Sequence, residues 1–131
     1  MKLETINFND APGRVYSDIR KVDGKYLYLS GLISADLETG EILSGDIQFQ
    51  TKCVLNNLKT ILEKYGSDMN HVIRIEVILQ NFAEKDLMNE EYIKHFEQEQ
   101  LPARLCFGDV SLADNMKIEM MATAIVKDGE H

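Results

Sequence analysis

The stretch LPARLCFGDV, residues 101–110, sets an arginine at the head of a short apolar run. A guanidinium stays ionised and is seldom buried without a partner. Three fates are open to Arg104: solvation at a sheet edge, pairing with a carboxylate of the same chain, or service to an anionic ligand. Alternation along a strand puts Arg104 and Cys106 on one face and Leu105 and Phe107 on the other. The carboxylate within the last apolar segment, MKIEMMATAIV, is Glu119. If the last two strands pair, Arg104 and Glu119 share a side of the sheet, and a structural Arg–Glu pair needing no chemistry is the plain expectation.

The other reactive side chains form no set. Cys53 and Cys106 are far apart and make no C-x-x-C pattern, and His71, His95 and His131 lack metal-ligand spacing. Neither a zinc site nor a redox pair is expected, and two reduced thiols suit a cytoplasmic chain. No histidine-type pairing of general acid and base is visible, and His95 reads as a partly exposed residue beside a helical core stripe. With 14 basic against 22 acidic residues the net charge is −8. That opposes a surface built for nucleic acid or anionic membrane, which needs clustered cations, but leaves room for one arginine holding a small anion.

The elements that must position these residues follow from periodicity. RVYSDIRKV and KYLYLSGLI read as strands joined by the turn signal DGK. From Asp46 to Tyr65, Ile47, Val54, Leu55, Leu58, Ile61, Leu62 and Tyr65 form the stripe of a long amphipathic helix, capped by Ser44 or Asp46 and ended by Gly66. HVIRIEVILQ alternates, with Ile73, Ile75, Val77 and Leu79 on one face. EKDLMNEEYIKHFEQ returns to helical spacing through Met88, Tyr92 and Phe96, and ARLCFGDV and MKIEMMATAIV are the final strands. The order β-β-α-β-α-β-β, with room for a further N-terminal strand, describes a single α+β domain over residues 1–131, its two helices on one face of a mixed or antiparallel sheet.

The last strand carries a statement about assembly. Ile118, Met120, Ala122, Ala124 and Val126 line the face toward the helices, yet Glu119, Met121, Thr123 and Ile125 opposite are half apolar. A sheet covered on one side should show a polar outer face, so this pattern points to a partner subunit. The opening MKLETINFND has no long apolar run of the signal-peptide kind, and no stretch is long enough to span a bilayer.

LPARLCF, with YLYLSGLI upstream and MKIEMMATAIV downstream, resembles the RidA/YjgF family of enamine/imine deaminases, also labelled endoribonuclease L-PSP. NDAPGRVYS is similar to the family's opening segment, SGLISADLETGEI to its Ser-Gly strand end and turn, and YIKHF to its second helix. Pro-Ala-Arg followed closely by Cys is its most typical motif. The resemblance implies a chorismate-mutase-like fold assembled as a homotrimer, with a cleft at each subunit interface. It implies that Arg104 grips a substrate carboxylate, that Glu119 orients or activates the hydrolytic water, and that Cys106 presents its main chain to the reacting end. Tyr16, Gly31 and Asn89 correspond to residues lining the cleft. The implied reaction converts a 2-imino acid, or its enamine tautomer, to a 2-oxo acid and ammonia without metal or cofactor. A non-catalytic carboxylate-binding regulator on the same trimer, and a ribonuclease or translation inhibitor, are the competing readings. Leu105 stands where many members carry a hydroxyl, Met121 where a second carboxylate is common, and PGRVYS adds Arg14 and an extra residue to a more compact Gly-Pro-Tyr. The segment EQEQ before Leu101 is shortened. These departures bear on substrate preference more than on reaction class.

Overall fold

Three short strands open the chain. In the computed structural model, which describes residues 1–128, β1 (Leu3–Ile6), β2 (Ile19–Val22) and β3 (Tyr26–Leu29) form an antiparallel meander. Asp23 and Gly24 turn between β2 and β3 with φ of 53° and 64°, the left-handed pair that suits the twist of a tight hairpin. The expected strand RVYSDIRKV is extended only over its second half. Residues ahead of it loop out because side chains replace ladder partners at the loop's neck. Asn7 Oδ1 accepts from Asp18 N at 3.1 Å, and Asp18 Oδ2 accepts from Phe8 N at 2.8 Å.

The helical stripe forms α1 (Ile47–Lys64), capped by Asp46, whose Oδ1 accepts from Phe49 N at 2.8 Å. Val54, Leu55, Leu58 and Leu62 are fully or almost fully buried on its inner side. Gly66, at φ 87°, lets Ser67 N return to Leu62 O at 2.8 Å and close the C-terminus. Next come β4 (Val72–Leu79), α2 (Lys85–Tyr92), β5 (Ala103–Gly108) and β6 (Ile118–Ile125). The second helix is shorter than its periodicity suggested: it tightens into a 3-10 turn at Ile93–His95, and Phe96 packs its ring 4.9 Å from that of Tyr92.

The strands make one six-stranded sheet in the order β1-β2-β3-β6-β4-β5, with β4 and β5 parallel and the other pairs antiparallel. The α2 crossover lays β5 beside β4, and the chain then crosses to the other edge of β4 to form β6. The last two strands therefore do not pair, contrary to the simplest expectation from chain order. Ile75, Val77, Leu79, Ile118, Met120, Ala122 and Ala124 fill the core beneath the helices. The opposite face leaves Tyr28, Leu105, Phe107 and Met121 exposed. Ile73 was expected in the inner row, but a bulge between Val72 and Arg74 turns Val72 inward and leaves Ile73 42% exposed. No helix of the described residues is long and apolar enough to cross a membrane. His131 lies outside the described residues.

Candidate active site: two half-sites on opposite faces

Arg104 pairs in register with Ile75 and Cys106 with Val77, so both point to the helix side, as strand parity requires. Because β5 is an edge strand, Arg104 is not buried under the helices but lies exposed along α2. Asn89 and Tyr92, three residues apart on one helix face, receive it. Nη1 donates to Asn89 Oδ1 at 2.7 Å, and the guanidinium carbon sits 4.7 Å from the Tyr92 ring centroid. None of the ion pairs among the described residues includes Arg104. Most of its N–H donors stay open to a ligand. They face a cleft of about 620 Å³ lined by Asn89, Tyr92, Ile93, Leu101 and Pro102, with Asp86 and Glu90 also contributing.

Burial pushes the Tyr92 hydroxyl up to about 12, partly offset by the Arg104 charge. The ring is thus a neutral platform for the cation. Burial likewise pushes the Cys106 thiol up, against the opposing charges of Arg104 and Lys85. A thiol held protonated is a poor nucleophile, and Cys106 suits a backbone or packing role.

Glu119 belongs to the other face. It pairs in register with Ile78, on the open side of the sheet. Arg104 and Glu119 thus project to opposite sides, which excludes the structural Arg–Glu pair within one chain. The Glu119 carboxylate makes no hydrogen bond or ion pair among the described residues. Gly31 lies against it: a Cβ on Gly31 would collide with the carboxylate, coming within 2.9 Å of its Cδ. A one-residue slip brings them together, since pairing passes from Tyr28↔Thr123 to Leu32↔Met120. Four steps along one strand match three along the other. Tyr16 is 64% exposed on the loop before β2. It is tied to the same region through its neighbour, because Ser30 Oγ donates to Ser17 O at 2.6 Å and Ser30 N to Asp18 O at 2.9 Å.

The six residues singled out in the sequence thus form two groups: Arg104, Asn89 and Cys106 at the β5 edge, and Glu119, Gly31 and Tyr16 around the β3–β6 join. Tyr92 and Ser30 were not anticipated. The i, i+3 spacing of Asn89 and Tyr92 carried the signal for the first, whereas nothing local to Ser30 did so for the second. Two histidines make local contacts with acids on their own elements, outside the Arg104 cleft. His95 Nε2 lies 2.8 Å from Glu91 Oε2, and His71 Nδ1 2.6 Å from Asp68 Oδ1. His95 and Asp68 line a separate groove that shares no residue with the Arg104 cleft. Among the described residues no group of three or more His, Cys, Asp or Glu is placed to hold a metal ion.

Comparison with known proteins converges on one family. The family model described as endoribonuclease L-PSP matches residues 9–126. A RutC family protein of Pyrococcus abyssi is 39% identical over 126 residues, 95% of this chain and 98% of that protein. The 2-iminobutanoate/2-iminopropanoate deaminase of Homo sapiens is 32% identical, covering 88% of this chain and 84% of that protein. Among solved structures, a member of the conserved Rid protein family from Yersinia pestis superposes with a TM-score of 0.84 at 26% identity, over 95% of this chain and all of that one.

Proposed function

The chain belongs to the endoribonuclease L-PSP family, the RidA/YjgF family, and from that premise we propose that it hydrolyses 2-imino acids and their enamine tautomers to 2-oxo acids and ammonia. The observation that carries this reading is Arg104: a cation braced by Tyr92 and Asn89, in none of the ion pairs among the described residues, facing a cleft. Relatives named 2-iminobutanoate/2-iminopropanoate deaminase, at 28–32% identity, support the reaction class.

Arg104 takes the substrate carboxylate through two parallel N–H donors, a geometry that a point charge does not offer. Held there, the imine carbon is exposed to water. Glu119 accepts a proton as that water adds, forming a carbinolamine. Glu119 returns that proton to the nitrogen, the C–N bond breaks, and ammonia leaves as the hydroxyl gives its proton back to the carboxylate and becomes the carbonyl. An enamine first takes up a proton at its terminal carbon to become the iminium form of the imine, the species to which water adds. These compounds already hydrolyse in water, so fixing the carboxylate and aiming one water supply the needed help. No cofactor enters the scheme.

One chain cannot bring both half-sites to one small substrate, because they lie on opposite sides of the same sheet. The proposed assembly is a homotrimer in which the β5 edge of one copy meets the open, partly apolar face of the next. Each cleft then takes Arg104, Asn89 and the Cys106 main chain from one copy, and Glu119, Gly31 and Tyr16 from its neighbour.

The test is ammonia release from freshly generated 2-aminoacrylate. The protein should accelerate it, and Arg104→Ala should abolish both turnover and 2-oxo acid binding, a loss of about 2–5 kcal/mol for a charge-assisted, partly desolvated contact. Arg104→Lys should restore little. Full activity in Arg104→Ala overturns the assignment. Binding of 2-oxo acids with no acceleration for any imine would make the pocket a regulator's sensor. RNA cleavage, the activity in the family's description, is disfavoured by a net charge of −8, which opposes the binding of a polyanion.

A further inference from the structure

The loop between β1 and β2 is braced by one half-buried cation, Arg14. Arg14 Nη2 pairs with Asp18 Oδ2 at 2.9 Å, the side chains being only 21% and 16% exposed. Nη1 donates to Asn9 Oδ1 at 3.0 Å, and Nε donates to the carbonyl of Tyr16 at 3.2 Å. The guanidinium carbon also lies 5.8 Å from the Tyr16 ring centroid. One side chain thus engages both limbs of the loop and both the backbone and the ring of Tyr16. The residues at the crest are turned outward: Val15 is 92% and Tyr16 64% exposed. Apolar and aromatic side chains offered to solvent on a braced loop form a preorganised arm. Its base is fixed by Ser30, next to the glycine on which Glu119 rests.

We propose that Arg14 is a positioning residue for Tyr16: its planar fork holds the Tyr16 carbonyl and ring in the orientation that contacts substrate in the shared cleft. This rests on the reading of the site given above, and adds a residue that touches no substrate itself. Lysine cannot replace it. An ammonium at this position reaches Asp18 as a point charge but cannot hold Asn9, Asp18 and the Tyr16 carbonyl in one plane while facing the ring. Arg14 therefore serves two separable ends, loop stability through Asp18 and Tyr16 orientation through the fork.

The test is a double-mutant cycle of Arg14→Ala and Tyr16→Ala, with Arg14→Lys beside it. It is read as KM and kcat for 2-aminoacrylate hydrolysis, as the Kd of 2-oxobutanoate by calorimetry, and as the thermal midpoint. Misplacing Tyr16 should raise KM and Kd by about ten- to a hundredfold with a smaller change in kcat. In the Tyr16→Ala background, Arg14→Ala should add nothing to either constant. Arg14→Lys should recover the thermal midpoint but not KM. An unchanged KM in Arg14→Ala, or the same loss with and without Tyr16, or recovery of KM by lysine, overturns the proposal. If Arg104→Ala is inactive while Tyr16→Ala is silent, the function stands and this inference falls. If the native protein neither turns over an imine nor binds 2-oxobutanoate, both fall.

Discussion

At Arg104, the stack on Tyr92 and the bond to Asn89 hold the guanidinium in one orientation, which would lower the ordering cost of the proposed carboxylate contact. Glu119 has the opposite character: no hydrogen-bond partner among the described residues holds it, and its carboxylate occupies the space that a Cβ on Gly31 would take. Two residue-level outcomes follow. Glu119→Gln should keep 2-oxo acid binding and lose hydrolysis by about 10²-fold or more, the size of an acid–base contribution. Gly31→Ala should displace the carboxylate rather than the backbone, because the atom met is the far end of a flexible side chain. Its kcat should fall toward that of Glu119→Gln, while the far-UV circular dichroism stays native. Wild-type kcat in Gly31→Ala would detach the glycine from the reaction.

Among the elements, α2 carries the two residues that brace Arg104, so its C-terminal clip bears on the cleft. Burial pushes the Glu91 carboxyl up, but the His95 hydrogen bond and the Lys94 and His95 charges outweigh it and hold it below its ordinary value. A carboxyl whose pKa is lowered on folding stabilises the native state above its unfolded value, and that contribution is lost as pH falls through the folded one. Glu91 should therefore contribute fully at neutral pH and progressively less below about pH 4.5. Chemical denaturation of Glu91→Gln and the native protein should show a stability gap at pH 7 that closes toward pH 3; a gap independent of pH would refute the pairing. At the head of α1, Asp46→Ala should cost about 1 kcal/mol, the usual value of a lost N-cap.

At the scale of the whole molecule, the sheet sets Arg104 and Glu119 on opposite faces, and the proposed shared site needs a second copy to bring them together. The open face sets Met121 between Glu76 on β4 and the β3–β6 join, and Met121 is already 42% exposed in the single chain. Met121→Asp should thus leave the isolated fold nearly unchanged while placing an unpaired charge in the proposed interface. Light scattering should show trimer for the native protein and a smaller species for the variant; a stable native monomer at micromolar concentration would remove the shared site. Complementation tests the division directly. Arg104→Ala and Glu119→Gln, each inactive alone, should regain about one intact site in four when randomly co-assembled in a closed cyclic oligomer. No recovery from a verified mixed oligomer would mean that both residues act from one chain.

What the sequence by itself determined was local. The stripe from Ile47 to Leu62 specified α1, alternation specified the buried row of β6, and parity set Arg104 and Cys106 on a common face, because period and face are properties of consecutive residues. The Pro-Ala-Arg-x-Cys segment also pointed to the family before any geometry was known. Tertiary structure decided who stands next to whom. β6 inserts between β3 and β4, so Arg104 and Glu119 part to opposite sides. A bulge turns Ile73 outward, and Asn7 and Asp18 convert half of an expected strand into the arm that carries Tyr16. Alternation tells each strand which face to bury but carries no label for its neighbour. Strand neighbours are chosen by long-range pairing and by the crossover that α2 makes over the sheet, and that choice set Arg104 and Glu119 on opposite faces.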